Sequence, residues 1–435
     1  MVKDRTNGRR AAILLPLLVP LVLAALPFVA MAGEPVTGAD ILRDLVRESI
    51  ERNPELAAFR STAEGLEQRV LPAGSLPDPM LSLSFSNVPV DDFRFDKEPM
   101  TSRDIGFTQA IPFPGKLSLK QEIARLSAVQ GSDRVESMRN LIRFRVKRDF
   151  FLLMENREVT RLTEKNKALF GELLAVANSR YSVGKTPQQD LFKAQVEISR
   201  LEKMLIALRK KNVELVADLN TLRNRPVTDP VELPVAYDAP EFPHDEAHLL
   251  ELAKTSNPDL RREEDAVRQK ETALALARKQ ILPDFQIGGA YKVREDPSTG
   301  GERPDFFSAT VGITLPLWHG RKQDKEVEAS VRELSSAKSR YENAWNAIRN
   351  RLKEIAADIS AQREILSLFD TGLLPQARES VNSSRAAYEV GQVEFASVLL
   401  GQIVLYQQEI DREKTAEMLR IRTAELELVL GKELF

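Results

Sequence analysis

The sequence predicts a mainly α-helical fold with a small β part, in which paired strands make a wall of transmembrane-barrel type and long helical hairpins continue it. Three observations predict it. Short motifs recur in the same order some 205 residues apart. Two pairs of short runs alternate apolar and polar residues. Two stretches of more than sixty residues carry almost no helix breaker. Composition agrees with this class. The 435 residues include 62 Lys+Arg, 64 Asp+Glu, 3 His, no Cys and 6% aromatics. Without cysteine there is no disulfide, thiolate zinc site, thiol nucleophile or lipidated N-terminal Cys. Charge balance argues against a nucleic-acid binder, which carries a basic excess. Three histidines leave little for a metal or catalytic centre.

The N-terminus reads as an export signal. Lys3, Arg5, Arg9 and Arg10 precede an apolar run from Ala11 to Phe28, and Ala30-Met31-Ala32 supplies small residues for cleavage. The predicted signal peptide is 1–32, cut after Ala32. An uncleaved anchor is the rival, since the run approaches a membrane span, but Pro16, Pro20 and Pro27 weaken it. No later segment is apolar for long enough to span as a helix.

The remainder divides into repeat 1 (33–224), a Pro-rich linker (225–243) and repeat 2 (244–435). Asn53-Pro54 returns as Asn257-Pro258, Leu76-Pro77-Asp78 as Leu282-Pro283-Asp284, and Pro112 as Pro316. Gly115 returns as Gly320, and Tyr181-Ser182-Val183-Gly184 as Tyr388-Glu389-Val390-Gly391. Each motif is common; their shared order carries the weight. Pro226, Pro230, Pro234, Pro240 and Pro243 exclude regular helix in the linker.

Each repeat reads helix, strand, strand, very long helix, turn, long helix. The strands fall at about 80–88, 103–111, 285–294 and 306–315, where residues alternate with period two. Leu81, Leu83 and Phe85 interleave with Ser82, Ser84 and Ser86; Phe307, Val311 and Ile313 interleave with Ser308, Thr310 and Gly312. Two hairpins on a soluble core would alternate in the same way. The export signal and the polar loops 89–102 and 295–304 favour strands that cross a bilayer. The helical hairpins span about 117–224 and 321–432. Leu117 to Arg180 contains no Pro, and at ~1.5 Å per residue such a helix makes a rod of ~96 Å. Pro375 predicts a kink in its counterpart. A heptad seam runs from Leu191 through Leu201, Leu205, Leu215 and Leu222, with Asn212 as its polar member.

Four strands cannot close a barrel, and lipid satisfies no backbone hydrogen bond at a free edge. Several copies must share one wall; dimer, trimer and tetramer all satisfy closure. At this point the chain resembles the TolC outer-membrane efflux family. The doubled plan, the paired Tyr-x-Val-Gly turns and Ile111-Pro112-Phe113-Pro114-Gly115-Lys116 carry the resemblance. The last of these is most similar to the heavy-metal CusC/CzcC branch. The resemblance implies a homotrimer with a twelve-stranded outer-membrane β-barrel embedded in lipid and a periplasmic α-helical barrel. It implies docking on a periplasmic adaptor and an inner-membrane pump of RND type. It also implies no catalysis, and no cofactor is expected; the lack of cysteine excludes a lipid anchor, and the charge balance argues against a nucleic-acid partner.

The strand-to-helix junction is assigned to Pro112, Pro114, Gly115, Pro316 and Gly320. Proline ends strand pairing and glycine allows the bend. The resemblance places a periplasmic gate at the hairpin tips, with Tyr181, Gly184, Asp190, Tyr388, Gly391 and Glu394 as candidates. It implies a latch between Tyr388 and Asp190, although both tyrosines could simply pack helix ends. Val393, Ser397 and Leu400 stand where the family example has an arginine and aspartate rings, leaving Glu394 as the nearest acid. His244-Asp245-Glu246-Ala247-His248 imitates a zinc helix, but Asp245 reads as an N-cap. The predicted function is a passive export duct for small molecules or metal ions; the alternative is a periplasmic adaptor or coiled-coil scaffold of an export complex.

Overall fold

The computed structural model describes residues 37–235, 237 and 245–434. The signal segment 1–32, the linker residues Pro240 and Pro243, His244, and the terminal Phe435 lie outside the described residues. Among the described residues, no helix is long and apolar enough to cross a membrane.

Helix α1 (Gly38–Arg52) starts on a capping box in which Thr37 and Asp40 exchange side-chain and backbone hydrogen bonds. It stops at Asn53, because a residue before proline is pushed to extended backbone. Asn53 then caps α2 (Pro54–Gln68), its Oδ1 accepting from Leu56 N at 3.1 Å. Its Nδ2 donates to the Leu222 carbonyl at 3.0 Å. Pro54 sits at the first helical position, where a missing N–H costs nothing. The short α3 (Val70–Gly74) leads to the strands.

Strands β1 (Met80–Ser86) and β2 (Ser102–Ile111) form an antiparallel hairpin, followed by α4 (Lys116–Ser182) and α5 (Gln188–Leu222). β1 is shorter than the alternation suggests, because Asn87 turns to φ 55° and leaves the ladder. The second half begins with α6 (Glu246–Ser256) and α7 (Pro258–Lys279), split at Asn257 in the same manner. Asn257 accepts from Leu260 N at 2.8 Å and donates to Val429 O at 2.7 Å. Where the sequence suggests one helix ahead of each strand pair, the Asn-Pro step thus makes two, each tied by its asparagine to the end of a returning helix. Strands β3 (Phe285–Val293) and β4 (Phe306–Ile313) follow. Helix α8 (Gln323–Leu368) then meets a π-helical turn, Phe369–Leu373, before α9 (Leu374–Glu389) and α10 (Phe395–Leu430). Pro375 cannot donate to the carbonyl four residues back, and the wide turn immediately before it absorbs the mismatch.

Helix α4, 67 residues and ~100 Å long, is the spine: α1, α2, α5, α7 and α10 all pack along it. One core joins α1, α2, α4 and α5 around Leu56, Ile142, Phe150 and Leu219. A second joins α4, α5, α9 and α10 around Phe170, Ala194, Phe395 and Ile410. A third gathers α6, α8 and α10 around Ile355, Leu426 and Leu430. Asn212 does not take the place the seam suggests: it is exposed. At this level of the hairpin the buried amide comes from α4, where Asn156 donates to the Leu208 carbonyl at 3.2 Å. The four strands form one antiparallel sheet in the order β1-β2-β3-β4.

Candidate functional site

The sheet separates its residues into two faces. Register places Leu81 opposite Phe107, Leu83 opposite Ile105, Ile105 opposite Tyr291, Ile287 opposite Val311 and Tyr291 opposite Phe307. Side chains of directly paired residues share a face, so these form one apolar surface. No element among the described residues covers it: Leu83 is 77% exposed and Val311 78%. The other face carries Ser82, Ser84, Asp104, Gly106, Thr108, Lys292, Ser308 and Thr310. There Asp104 accepts from Ser86 at 2.6 Å and pairs with Lys292 at 3.2 Å. Water would penalise that apolar surface over most of four strands; hydrocarbon would not. Among the described residues, β1 and β4 each have an unpaired edge.

At one end the strands pass into the helices. Gly115 takes φ 88° as N-cap of α4, a left-handed conformation that glycine adopts without strain. Asp284, just before β3, gathers the junction: it accepts from Phe113 N at 2.7 Å and from Lys116 Nζ at 2.9 Å. Lys116 is buried and also donates to the Leu282 carbonyl at 2.8 Å. Partial burial works to raise the Asp284 carboxyl, but Lys116 and the Phe113 amide outweigh it and hold it below its ordinary value. Phe113 stacks on Phe285, 6.4 Å between centroids. The other junction differs. β4 ends at Ile313, three residues before Pro316, and Gly320 lies in a 3-10 turn, His319–Arg321, without positive φ and with room for a Cβ. Trp318 is exposed.

At the far end, both tips close alike. Gly184 N donates to Tyr181 O at 2.9 Å and Lys185 N to Arg180 O at 2.9 Å; Gly391 N donates to Tyr388 O at 3.1 Å and Gln392 N to Ala387 O at 2.8 Å. These are Schellman closures, with the glycines at φ 72° and 79°. The tyrosines differ: Tyr181 is 42% exposed and Tyr388 only 5%. The Tyr388 ring meets Phe395 edge-on at 5.8 Å. The Arg180 guanidinium lies 4.1 Å over its centroid. The same guanidinium donates to the carbonyls of Tyr388 at 3.0 Å and Glu389 at 3.1 Å, capping α9 from the other tip. Tyr388 and Asp190 are not hydrogen-bonded to each other: among the described residues the buried Tyr388 hydroxyl has no partner, and Asp190 pairs with Lys193 at 3.3 Å. Glu394 is exposed at the N-cap of α10.

Sequence reasoning missed Arg180 and the Lys116–Asp284 clamp. Both halves of the clamp lay inside noted motifs, Gly115-Lys116 and Leu282-Pro283-Asp284. Two further charged features lie between the helices. Lys147 and Glu427 pair in the core at 2.6 Å. Burial, reinforced by the charge of Glu155, pushes Glu417 up to about 8. Among the described residues no group of His, Asp and Glu is arranged to hold a metal ion. His248 is exposed on α6, and Asp245 caps that helix by accepting from Ala247 N at 3.1 Å.

No curated protein matches the chain in sequence. Residues 249–432 match the family model of the outer membrane efflux protein. Several solved structures share the fold. A membrane protein from Pseudomonas aeruginosa superposes with a TM-score of 0.77 at 15% identity, covering 90% of this chain and 93% of that one. The Vibrio cholerae outer membrane protein VceC gives 0.76 at 14%, covering 91% and 97%. CusC, a structure concerned with transmembrane channel formation, gives 0.71 at 15%, covering 91% and 92%. The match across residues 249–432 makes the second half of the chain similar to the outer membrane efflux protein family, and the whole shares the fold of these solved structures.

Proposed function

We propose that the protein is the outer-membrane channel of a tripartite efflux system, a passive duct for small molecules or metal ions. One observation carries this: a four-stranded sheet exposes an apolar face and leaves both edges free. A lone copy cannot bring that sheet into lipid, because unpaired edge amides and carbonyls cost several kcal/mol each there. Three copies would give twelve strands built from two internal repeats per chain, with the polar faces of Ser84, Asp104 and Thr310 turned to the lumen. The helices would continue the tube into the periplasm, where an adaptor and an inner-membrane pump of RND type would dock. The solved channels CusC, VceC and MtrE, an outer membrane channel of Neisseria gonorrhoeae, support the reading through their shared fold. A coiled-coil scaffold would leave the exposed sheet face unexplained.

In this reading residues 1–32 direct export and are removed, with no lipid attached to the new N-terminus. The tips form the periplasmic gate. Tyr181, Gly184, Asp190, Tyr388 and Gly391 shape it, and Glu394 repeats as an acidic ring around the axis. The Tyr388–Asp190 latch, unmade within one chain, would have to form between copies. The test is to express the full chain, fractionate membranes and reconstitute the detergent-purified protein in a planar bilayer. Carbonate-resistant outer-membrane material that conducts as a multimer is the expected result. A water-soluble monomer without detergent overturns the reading.

A further inference from the structure

The two hairpins obey one pair of sequence offsets. Moving β1 residues by 206 and β2 residues by 204 turns the pair Met80↔Thr108 into Gln286↔Gly312, and Leu83↔Ile105 into Gly289↔Ala309; both are observed. The same offsets relate Asp78 to Asp284 and Pro112 to Pro316. One joint lacks its counterpart. β2 pairs with β3, but β4 and β1, which correspond to them, end the sheet. The charged clamp of that joint is also half-made. Asp284 holds Lys116, the residue after Gly115. Asp78 and Arg321, the residue after Gly320, are exposed and form no ion pair among the described residues.

We infer that a second copy of this chain completes the joint in a defined register, with Asp78 of one copy clamping Arg321 of the next. The inference rests on the channel reading, which requires copies to share a wall. Carrying the β2–β3 register across by the same offsets sets Ile313 opposite Leu81, Val311 opposite Leu83 and Ala309 opposite Phe85 of the neighbour. It also sets Gly312, Thr310 and Ser308 opposite Ser82, Ser84 and Ser86. In these six pairs apolar residues thus meet apolar ones and small polar residues meet serines. A slip of one residue would send each apolar side chain to the wrong face. The single extra residue between Pro316 and Gly320 places the basic side chain at an offset of 205 from Lys116. Arginine also reaches farther than lysine and can hold a carboxylate with two N–H groups.

The absence of cysteine makes the register directly testable in the full-length protein. Ser84→Cys with Thr310→Cys should oxidise to covalently linked multimers on a non-reducing gel, since directly opposed strand residues lie at disulfide distance. Ser84→Cys with Ser308→Cys, one step along the same face, should link far less. For the clamp, Asp78→Arg should lower the temperature at which the detergent-solubilised multimer dissociates, and adding Arg321→Asp should restore it. Equal or better linking by the Ser308 pair overturns the register. A multimer that dissociates at one temperature in wild type, Asp78→Arg and the charge swap overturns the clamp. The cysteine pairs give their answer whether or not Asp78→Arg folds. A chain that stays monomeric in detergent sinks the channel reading itself, a result separate from a conducting multimer with a different register.

Discussion

Lys116 and Asp284 stand 168 residues apart in sequence and meet at 2.9 Å, where the second strand pair abuts the start of the longest helix. Their environments are unequal. The Lys116 side chain is 3% exposed and that of Asp284 41%. Removing the acid therefore strands a charge in a dry site, whereas removing the base leaves a carboxylate that water and the Phe113 amide can still serve. Asp284→Ala should cost roughly 3 kcal/mol, and Lys116→Met about 1–2 kcal/mol. Thermal unfolding of the detergent-solubilised variants gives the order. Equal losses would mean that the pair acts as an ordinary surface bridge.

Arg180 is expected to hold the two tips together. Arg180→Ala removes the cation over the Tyr388 ring and the donors to the Tyr388 and Glu389 carbonyls. Amides of residues 386–392 should then exchange faster, and reconstituted channels should conduct more in their resting state. Tyr388→Phe separates the contributions. The hydroxyl has no partner among the described residues, so its loss should leave local exchange unchanged. A rise in conductance from Tyr388→Phe alone would place its partner on a neighbouring copy, as a latch to Asp190 requires. Unchanged conductance in both variants would remove the tips from the gate.

Periodicity made the sheet legible, because a strand with one apolar and one polar face must alternate, and Leu81, Leu83 and Phe85 do so without exception. The long helices were legible from what they lack. The absence of proline from α4 and the single Pro375 in its counterpart locate the unbroken rod and the π turn. What could not be read depends on contacts distant in sequence. Asn212 fits a heptad, yet Asn156 from the facing helix supplies the buried amide there, a choice of packing rather than of spacing. Gly115 and Gly320 look equivalent in sequence. Only Gly115 adopts positive φ, because the extra residue before Gly320 lets a 3-10 turn make the bend. Arg180 carries no motif; its role exists only once the two tips meet.

Glu417 gives the helical part a pH dependence whose sign can be worked out. It lies on α10 and is buried, with Glu155 and Arg420 as its charged neighbours. Burial comes first and the Glu155 charge second in raising it from the ordinary 4.5 to about 8. Burial likewise raises Glu155, against Lys414 and Lys211. A carboxyl raised in the folded state holds its proton where the unfolded chain has lost it. Stability is therefore full below the unfolded value, falls as pH climbs, and levels off once pH passes the folded value near 8. Each proton contributes at most ~1.4 kcal/mol per pH unit to that slope. Glu417→Gln keeps the shape and removes the charge, so it should flatten the profile and stabilise the protein most at the alkaline end. The measurement is the unfolding midpoint of wild type and Glu417→Gln across this pH range in one detergent. Parallel profiles for the two proteins would show that Glu417 stays ionised in the fold.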